Sequence, residues 1–364
     1  MKNAIKTNAA LFGAAILLAS AVPGARAQQV SSIIGSLGNP MVVSTVPSNG
    51  DVNPYGVAFV PPGFPQGGKL QAGDILVSNY NNSNNLQGTG TTIVKIEGNT
   101  PSLFFQGEAP LGLSTGLAVL RAGLVLVANF PTNDGTSATA QPGSLMALDY
   151  NGNVVWTYTS STLVNGPWDF TVNDEGAFAQ VFVSNVLSGA ISRLDLEVTP
   201  THITVQDGLI ISSGYGHRGD PAALEVGPTG LAYDARRDVL YVSASFENAI
   251  YAIPNAGQIG ADGGVGYRIY QDNAHLHGAL AMVLAPNGHL IVSNSDVINP
   301  DPNQPSELVE FTVDGQFVAE RPVDPAQGGA FGLAAMSTRR GVTTFAAVDD
   351  NTASIEIWEV EGGE

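Results

Sequence analysis

An internal repeat constrains this chain more than any other feature of its sequence. Six segments each run from a small or Gly-containing turn into an apolar strand, turn again, and close on a Val/Ile/Leu-rich strand ending in a small polar residue. They pair residues 54–59 with 75–79, 114–118 with 125–129, 167–170 with 181–185, 228–233 with 240–244, 277–281 with 290–294, and 331–334 with 345–349. The closing tripeptide is nearly constant: Val77-Ser78-Asn79, Val127-Ala128-Asn129, Val183-Ser184-Asn185, Val242-Ser243-Ala244 and Val292-Ser293-Asn294. A third alternating strand follows each pair, at 93–96, 145–148, 191–194, 250–253, 308–311 and 355–358. Period-2 apolar patterns bounded by Gly, Asn and Pro predict strands throughout.

A fourth strand is visible after Asn151-Gly152 and after Asp314-Gly315, dipeptides suited to the positive φ angles of a tight hairpin. Four antiparallel strands per repeat is the blade of a β-propeller. The second strands end at positions 79, 129, 185, 244, 294 and 349, a mean spacing of about 54 residues, so the chain has room for six blades and not seven. The last repeat stops after its third strand, while an unpaired strand at 41–46 precedes the first. The expected fold is therefore all-β, a six-bladed propeller of four-stranded antiparallel blades, closed by the N-terminal strand completing the last blade. Such closure removes the open sheet edges.

The first 27 residues read as an export signal: Lys2 and Lys6 precede a short apolar stretch at 11–19, and Ala25-Arg26-Ala27 supplies a small-x-small cleavage pattern. Residues 28–40 then form an N-terminal extension and 41–364 the propeller, with the periplasm or the cell exterior as the expected location. No other stretch approaches 18 apolar residues, so no membrane span is expected. The chain carries 14 Lys and Arg against 32 Asp and Glu, a formal charge of −18, and loss of the signal would remove three basic residues and no acid. That charge repels a phosphate backbone, which argues against nucleic acid as a partner. The absence of Cys excludes disulfides, a Cys-based zinc site and a Cys nucleophile.

In a propeller, the turn into each innermost strand and the turn out of the second strand lie on one face around the central channel. The expected ligand-binding set is Tyr55, Trp168, Asp169, His277 and Phe331, ringed by Asn79, Asn129, Asn185 and Asn294, with Ala244 interrupting the column. Three aromatics with one acid, one imidazole and several amides make the mix of apolar surface and sparse polar groups that small-ligand sites use. Two structural readings stand beside this one. A strand-end Asn bonds its own turn, and Trp168 and Phe331 can simply plug the channel. Trp168 and Asp169 are expected to lie outside the packing between blades.

Gly227-Pro228-Thr229-Gly230-Leu231-Ala232-Tyr233-Asp234, followed by Val239-Leu240-Tyr241-Val242-Ser243 and Asn248-Ala249-Ile250, resembles an NHL repeat, and looser versions recur in all six blades. The resemblance implies a propeller of the NHL and gluconolactonase-like group, which includes lactonases, lyases, ligand sensors and interaction platforms. Lactonase-like members use a divalent metal at the channel mouth, held by a carboxylate and several Asn or Asp oxygens at inner-strand starts. Here those positions are mostly Gly, Thr and aromatics, with Asp169 the one carboxylate and His277 the one imidazole, so no metal and no cofactor are expected.

Four further segments carry the residue types of a site. His275-Leu276-His277 puts two imidazoles on one side of an extended segment without an evident third ligand. Gly112-Leu113-Ser114-Thr115-Gly116 matches G-x-S-x-G but leads into a strand rather than the helix a nucleophile elbow requires. Arg218-Gly219-Asp220 is an adhesion-type tripeptide of a kind that arises by chance, and the loop from Asp296 to Ser306 lacks the Gly and Glu spacing of an EF-hand. The functional expectation is an exported, monomeric binding or interaction platform for a small molecule, glycan or protein at the channel mouth. The alternative is a lactonase-like hydrolase or lyase, with catalytic residues unassigned.

Overall fold

The computed structural model describes residues 31–337 and 341–361, so the expected export signal lies outside the described residues. Six four-stranded sheets follow one another, each an antiparallel meander from innermost to outermost strand. Blade one is Val52–Phe59, Ile75–Asn81, Thr92–Glu97 and Thr100–Gln106; blade two is Leu113–Leu120, Leu124–Asn129, Ser144–Asp149 and Val154–Tyr158. Blade three is Pro167–Asp174, Phe178–Asn185, Ala190–Thr199 and His202–Ser213; blade four is Pro228–Asp234, Val239–Ala244, Ala249–Pro254 and Tyr267–Gln271. Blade five is Ala279–Leu284, Leu290–Asn294, Glu307–Phe311 and Phe317–Pro322. Blade six is Ala330–Ser337, Val342–Asp349 and Ser354–Glu361, completed by Met41–Ser44. The closing register pairs Met41 with Ile357 and Ser44 with Ser354, and the innermost strands neighbour one another in a ring from blade one round to blade six. The six-bladed, N-terminally closed propeller is the observed fold. Among the described residues no helix is long and apolar enough to cross a membrane.

The outermost strands of blades one, three and four escaped the periodicity because each has a single sheet neighbour and keeps exposed or half-buried positions, so polar residues interrupt its alternation. The small residues of the repeat have a packing reason. Every innermost strand carries a register shift near its start, as between Pro54 and Val57 or Ala330 and Leu333. There the strand presses against the next blade: a Cβ on Gly332 would stand 1.6 Å from the Tyr55 carbonyl oxygen, and one on Gly230 2.4 Å from that of Leu280.

The closing Val-Ser-Asn has a division of labour. The Ser hydroxyls reach the next blade: Ser78 Oγ donates to Ser114 O, Ser184 Oγ to Thr229 O, Ser243 Oγ to Leu280 O and Ser293 Oγ to Phe331 O, at 2.6–3.0 Å. Blade two has Ala128 at that position, and Ser114 supplies the bond instead by donating to Pro167 O at 2.8 Å. Ser114 is thus a buried staple, not an exposed nucleophile. The extension ahead of the closing strand also docks: the Glu310 carboxylate accepts from Ser32 Oγ and the Ile33 and Ile34 amides, and Ile34 packs beside Phe345 and Trp358.

Candidate functional site

Five aromatic rings plug the channel. Tyr55 is stacked between Tyr80 and Phe331, centroids 4.9 and 4.8 Å away, while Trp168 meets Tyr55 at 5.8 Å and Phe130 at 6.1 Å, both edge-on. Val186, Leu224 and Leu280 join the same buried cluster. On one side of the plug is a cavity of about 360 Å³ at the channel mouth, floored by Tyr55, Trp168, Phe331 and Leu280. On the other, the inner strands enclose about 390 Å³ of channel. A short hairpin, Arg218–Asp220 with Leu224–Val226, bends over the mouth, and its tip residues Ala222 and Ala223 line the first cavity. Gln87 Nε2 donates to the Ala222 carbonyl at 2.7 Å, tying that tip to blade one.

The structure brings together three of the expected ligand-binding residues and separates the rest. Tyr55, Trp168 and Phe331 share the cavity floor. Asp169 faces the second cavity, where its carboxylate accepts from the Leu231 and Phe170 amides at 3.0 and 2.8 Å. Burial pushes that carboxyl up to about 7 against the lowering effect of those bonds. The bond to Leu231 crosses from blade three to blade four, so Asp169, contrary to expectation, takes part in packing between blades.

The Asn column lies behind the mouth rather than on it. Asn79 Nδ2 donates to Thr45 O, Asn185 Oδ1 accepts from Asn165 N, and Asn294 Nδ2 donates to His275 O, so each of these three fastens the segment that enters its own blade. Asn129 is held by Ser144 Oγ and Met146 Sδ. None of the four lines the cavity.

His277 is buried in blade five, where Nδ1–H donates to the Asn299 carbonyl and Nε2 stands 3.8 Å from Glu307 Oε1. Burial pushes Glu307 up to about 7, opposed by the Asn294 hydrogen bond and reinforced by Asp296. His275 turns away to Asp272, 2.8 Å from Nδ1, so the two imidazoles do not converge. Arg218 and Asp220 pair with each other at 2.7 Å, and the Asp220 carboxylate also accepts from the Ala222 and Ala223 amides, so the tripeptide is used inside its own hairpin.

Sequence reasoning missed Asn53, Asn81, Gln87, Asp350 and Asn351 of the polar wall, and met Asp296 only in a loop it set aside, where the structure buries it on the same wall. The signal was one or two residues away. The residues that line the mouth follow the column by one or two positions where the chain leaves the second strand: Asn81 after Asn79, Ser295-Asp296 after Asn294, and Asp350-Asn351 after Asp349. Asn53 Oδ1, Asn81 Oδ1, Asp296 Oδ1 and Trp168 Nε1 are buried without any hydrogen-bond partner, and all four belong to cavity-lining residues. A buried polar atom left unpaired costs about 1–3 kcal/mol, and four such atoms meet around this one cavity. Burial, then the neighbouring Asp349, pushes the Asp350 carboxyl up to about 7, and burial likewise raises Asp296. Burial and Asp350 together hold the Tyr55 hydroxyl protonated.

The donor types that the lactonase resemblance implies, carboxylates with Asn oxygens, line this cavity as Asp296, Asp350, Asn53 and Asn81, but they fall short of a carboxylate cluster. Only two carboxylates line the cavity, one oxygen of Asp296 already accepts from the Ser306 amide at 2.7 Å, and among the described residues no three Asp, Glu or His side chains are placed to hold an ion together.

No protein-family model matches the chain, and no curated protein matches it. Solved structures do. A gluconolactonase from Xanthomonas campestris aligns with a TM-score of 0.53 at 13% identity, covering 89% of this chain and 91% of that one. A calcium-binding regucalcin from Agrobacterium tumefaciens aligns with a TM-score of 0.52 at 13% identity, covering 89% and 96%. The fold is that of the gluconolactonase-like six-bladed propellers. At that identity the likeness speaks for architecture alone.

Proposed function

We propose that this protein is an exported binding module that holds a small organic molecule in the cavity at the channel mouth. The observation that carries the reading is the four unpartnered polar atoms on the walls of one aromatic-floored cavity. Ligand sites combine an apolar body with a few polar groups that fix orientation, and this cavity has both. Export is supported by the basic, apolar and small-residue order of residues 1–27.

The test is a thermal-shift screen of small molecules on the chain from residue 28, with hits measured again on Ala223→Trp. Ala223 lines the cavity from the partly exposed hairpin tip, so an indole there fills the site with little change to the core. Ligands that lose affinity at least tenfold in the variant support the reading. A screen whose hits all bind the variant normally refutes it.

Asp350 favours a second reading, a lactonase-like hydrolase, and the Xanthomonas gluconolactonase of the same fold makes that chemistry worth testing. A carboxyl near 7 on a cavity wall suits a general base, which would take a proton from water as the water attacks a lactone carbonyl. Hydrolysis of gluconolactone above the spontaneous rate, lost in Asp350→Asn, would favour it over binding alone.

A further inference from the structure

We infer that the channel-mouth cavity is built for a small organic cation, an ammonium group on a short apolar stem, with the charge held by Asp296 and Asp350 beside the side-chain oxygens of Asn53 and Asn81. The inference rests on the reading of this cavity as a ligand site and names the ligand's chemistry.

A donor and acceptor census drives it. Of the four unpartnered atoms, three are oxygens that accept and one, the Trp168 indole N–H, donates. The orientation of Asn81 is set by its own amide N–H₂, which donates to Asn85 Oδ1 at 2.7 Å and leaves Oδ1 free. The Asp350 carboxylate makes no hydrogen bond among the described residues, and Asp349 stands beside it. No Lys, Arg or His lines the cavity. Two carboxyls and two amide oxygens without a counter-charge repel an anion. A neutral polyol would meet the acceptors but give the carboxyls no counter-charge on ionisation, whereas an ammonium, with three donors and a positive charge, supplies both.

The rest of the cavity sets the stem. Ala222, Ala223, Val297, Leu280 and Phe331 make an apolar lining. The indole N–H asks for an acceptor, such as a hydroxyl, at the far end of the ligand. A volume of about 360 Å³ holds about a dozen water-sized atoms. Tyr80 and Phe331 cover both faces of Tyr55, so that ring offers no face to the cation. Charge and hydrogen bonds hold the cation.

Binding should then favour ionisation of these carboxyls, whose neutral forms burial favours. Asp350 faces Asp349 and Tyr55, and Asp296 faces His277, Glu307 and Asp301. A carboxyl near 7 is mostly protonated at pH 6 and mostly ionised at pH 8, so affinity for a cation should rise about tenfold between them.

The experiment is calorimetric titration of the chain from residue 28 with tyramine and with its isosteric alcohol tyrosol, at pH 6 and pH 8. Tyramine should bind at least tenfold tighter than tyrosol at pH 8, weaken about tenfold at pH 6, and be lost in Ala223→Trp. Tyrosol binding as well as tyramine, with both lost in that variant, would overturn the cation inference and leave the pocket reading standing. Tyramine binding that survives Ala223→Trp, or absent tyramine binding, also overturns it, and the screen above then decides the pocket reading separately. If Ala223→Trp does not fold, Asp350→Asn serves: it should weaken tyramine about tenfold at pH 8, and unchanged affinity would sink the idea.

Discussion

The two arcs of the channel mouth occupy equivalent places in the repeat and are built in opposite ways. At the two positions beyond the strand-end column, blades two and three place Phe130-Pro131 and Val186-Leu187, whereas blades five and six place Ser295-Asp296 and Asp350-Asn351. The apolar arc is sealed by the chain's own hairpin: Leu224 is 1% exposed, sits in the plug cluster, and is held at φ 66°, where a residue with a branched side chain is uncommon. The polar arc keeps unpaired groups on Asp296 and, in adjoining blade one, on Asn53 and Asn81. The positions are equivalent in the repeat, and the difference lies in side-chain choice and in the positive φ of Asn53 and Asp296. One arc is finished within the chain, and the other is left for something outside it.

Breaking the ring should remove both arcs at once and is the largest effect expected. Deleting residues 28–47 takes away the Met41–Ser44 strand and the contacts to Glu310, and should lower Tm by about 10 °C or more or prevent folding. A circular dichroism melt unchanged by the deletion would contradict closure. Next in size, Leu224→Ala on the sealed arc should cost about 2–4 kcal/mol by emptying a buried site, read by urea denaturation. A loss under 1 kcal/mol would mean that the hairpin only rests on the plug.

The pH response sharpens the contrast. Asp169, Glu225, Glu307, Asp350 and Glu356 are all raised to about 7, each with burial as the first cause. Their folded values exceed their unfolded ones, so the folded state holds more protons and the associated stability, full below about pH 4, is lost as pH rises through 7. Tm should fall by several degrees from pH 5 to pH 8. Asp350→Asn should recover part of that fall, and a Tm that rises instead would refute the assignment. The smallest effect expected is none: EDTA should leave Tm within about 1 °C, and a large chelator-induced drop would restore the metal reading.

What was legible in the sequence follows from short-range physics. Alternating apolar strands, Asn-Gly and Asp-Gly turns and a spacing near 54 residues determined six blades. The unpaired strand at 41–46 determined the closure, because an open edge has to be covered. The same local rules placed Tyr55, Trp168 and Phe331 together, since three strand starts converge on one channel. Which side of the plug Asp169 faces, that His275 and His277 part, and that the Asn column bonds the entering segments depended on register shifts and neighbouring blades. The polar wall was decided by tertiary structure alone. Asn53, Asn81, Asp296 and Asp350 come from three blades as far apart in the chain as 53 and 350, and none stands out by residue type in a sequence full of turn Asn and Asp. Only the closed ring brings them to one cavity, and only there does a missing hydrogen-bond partner become visible.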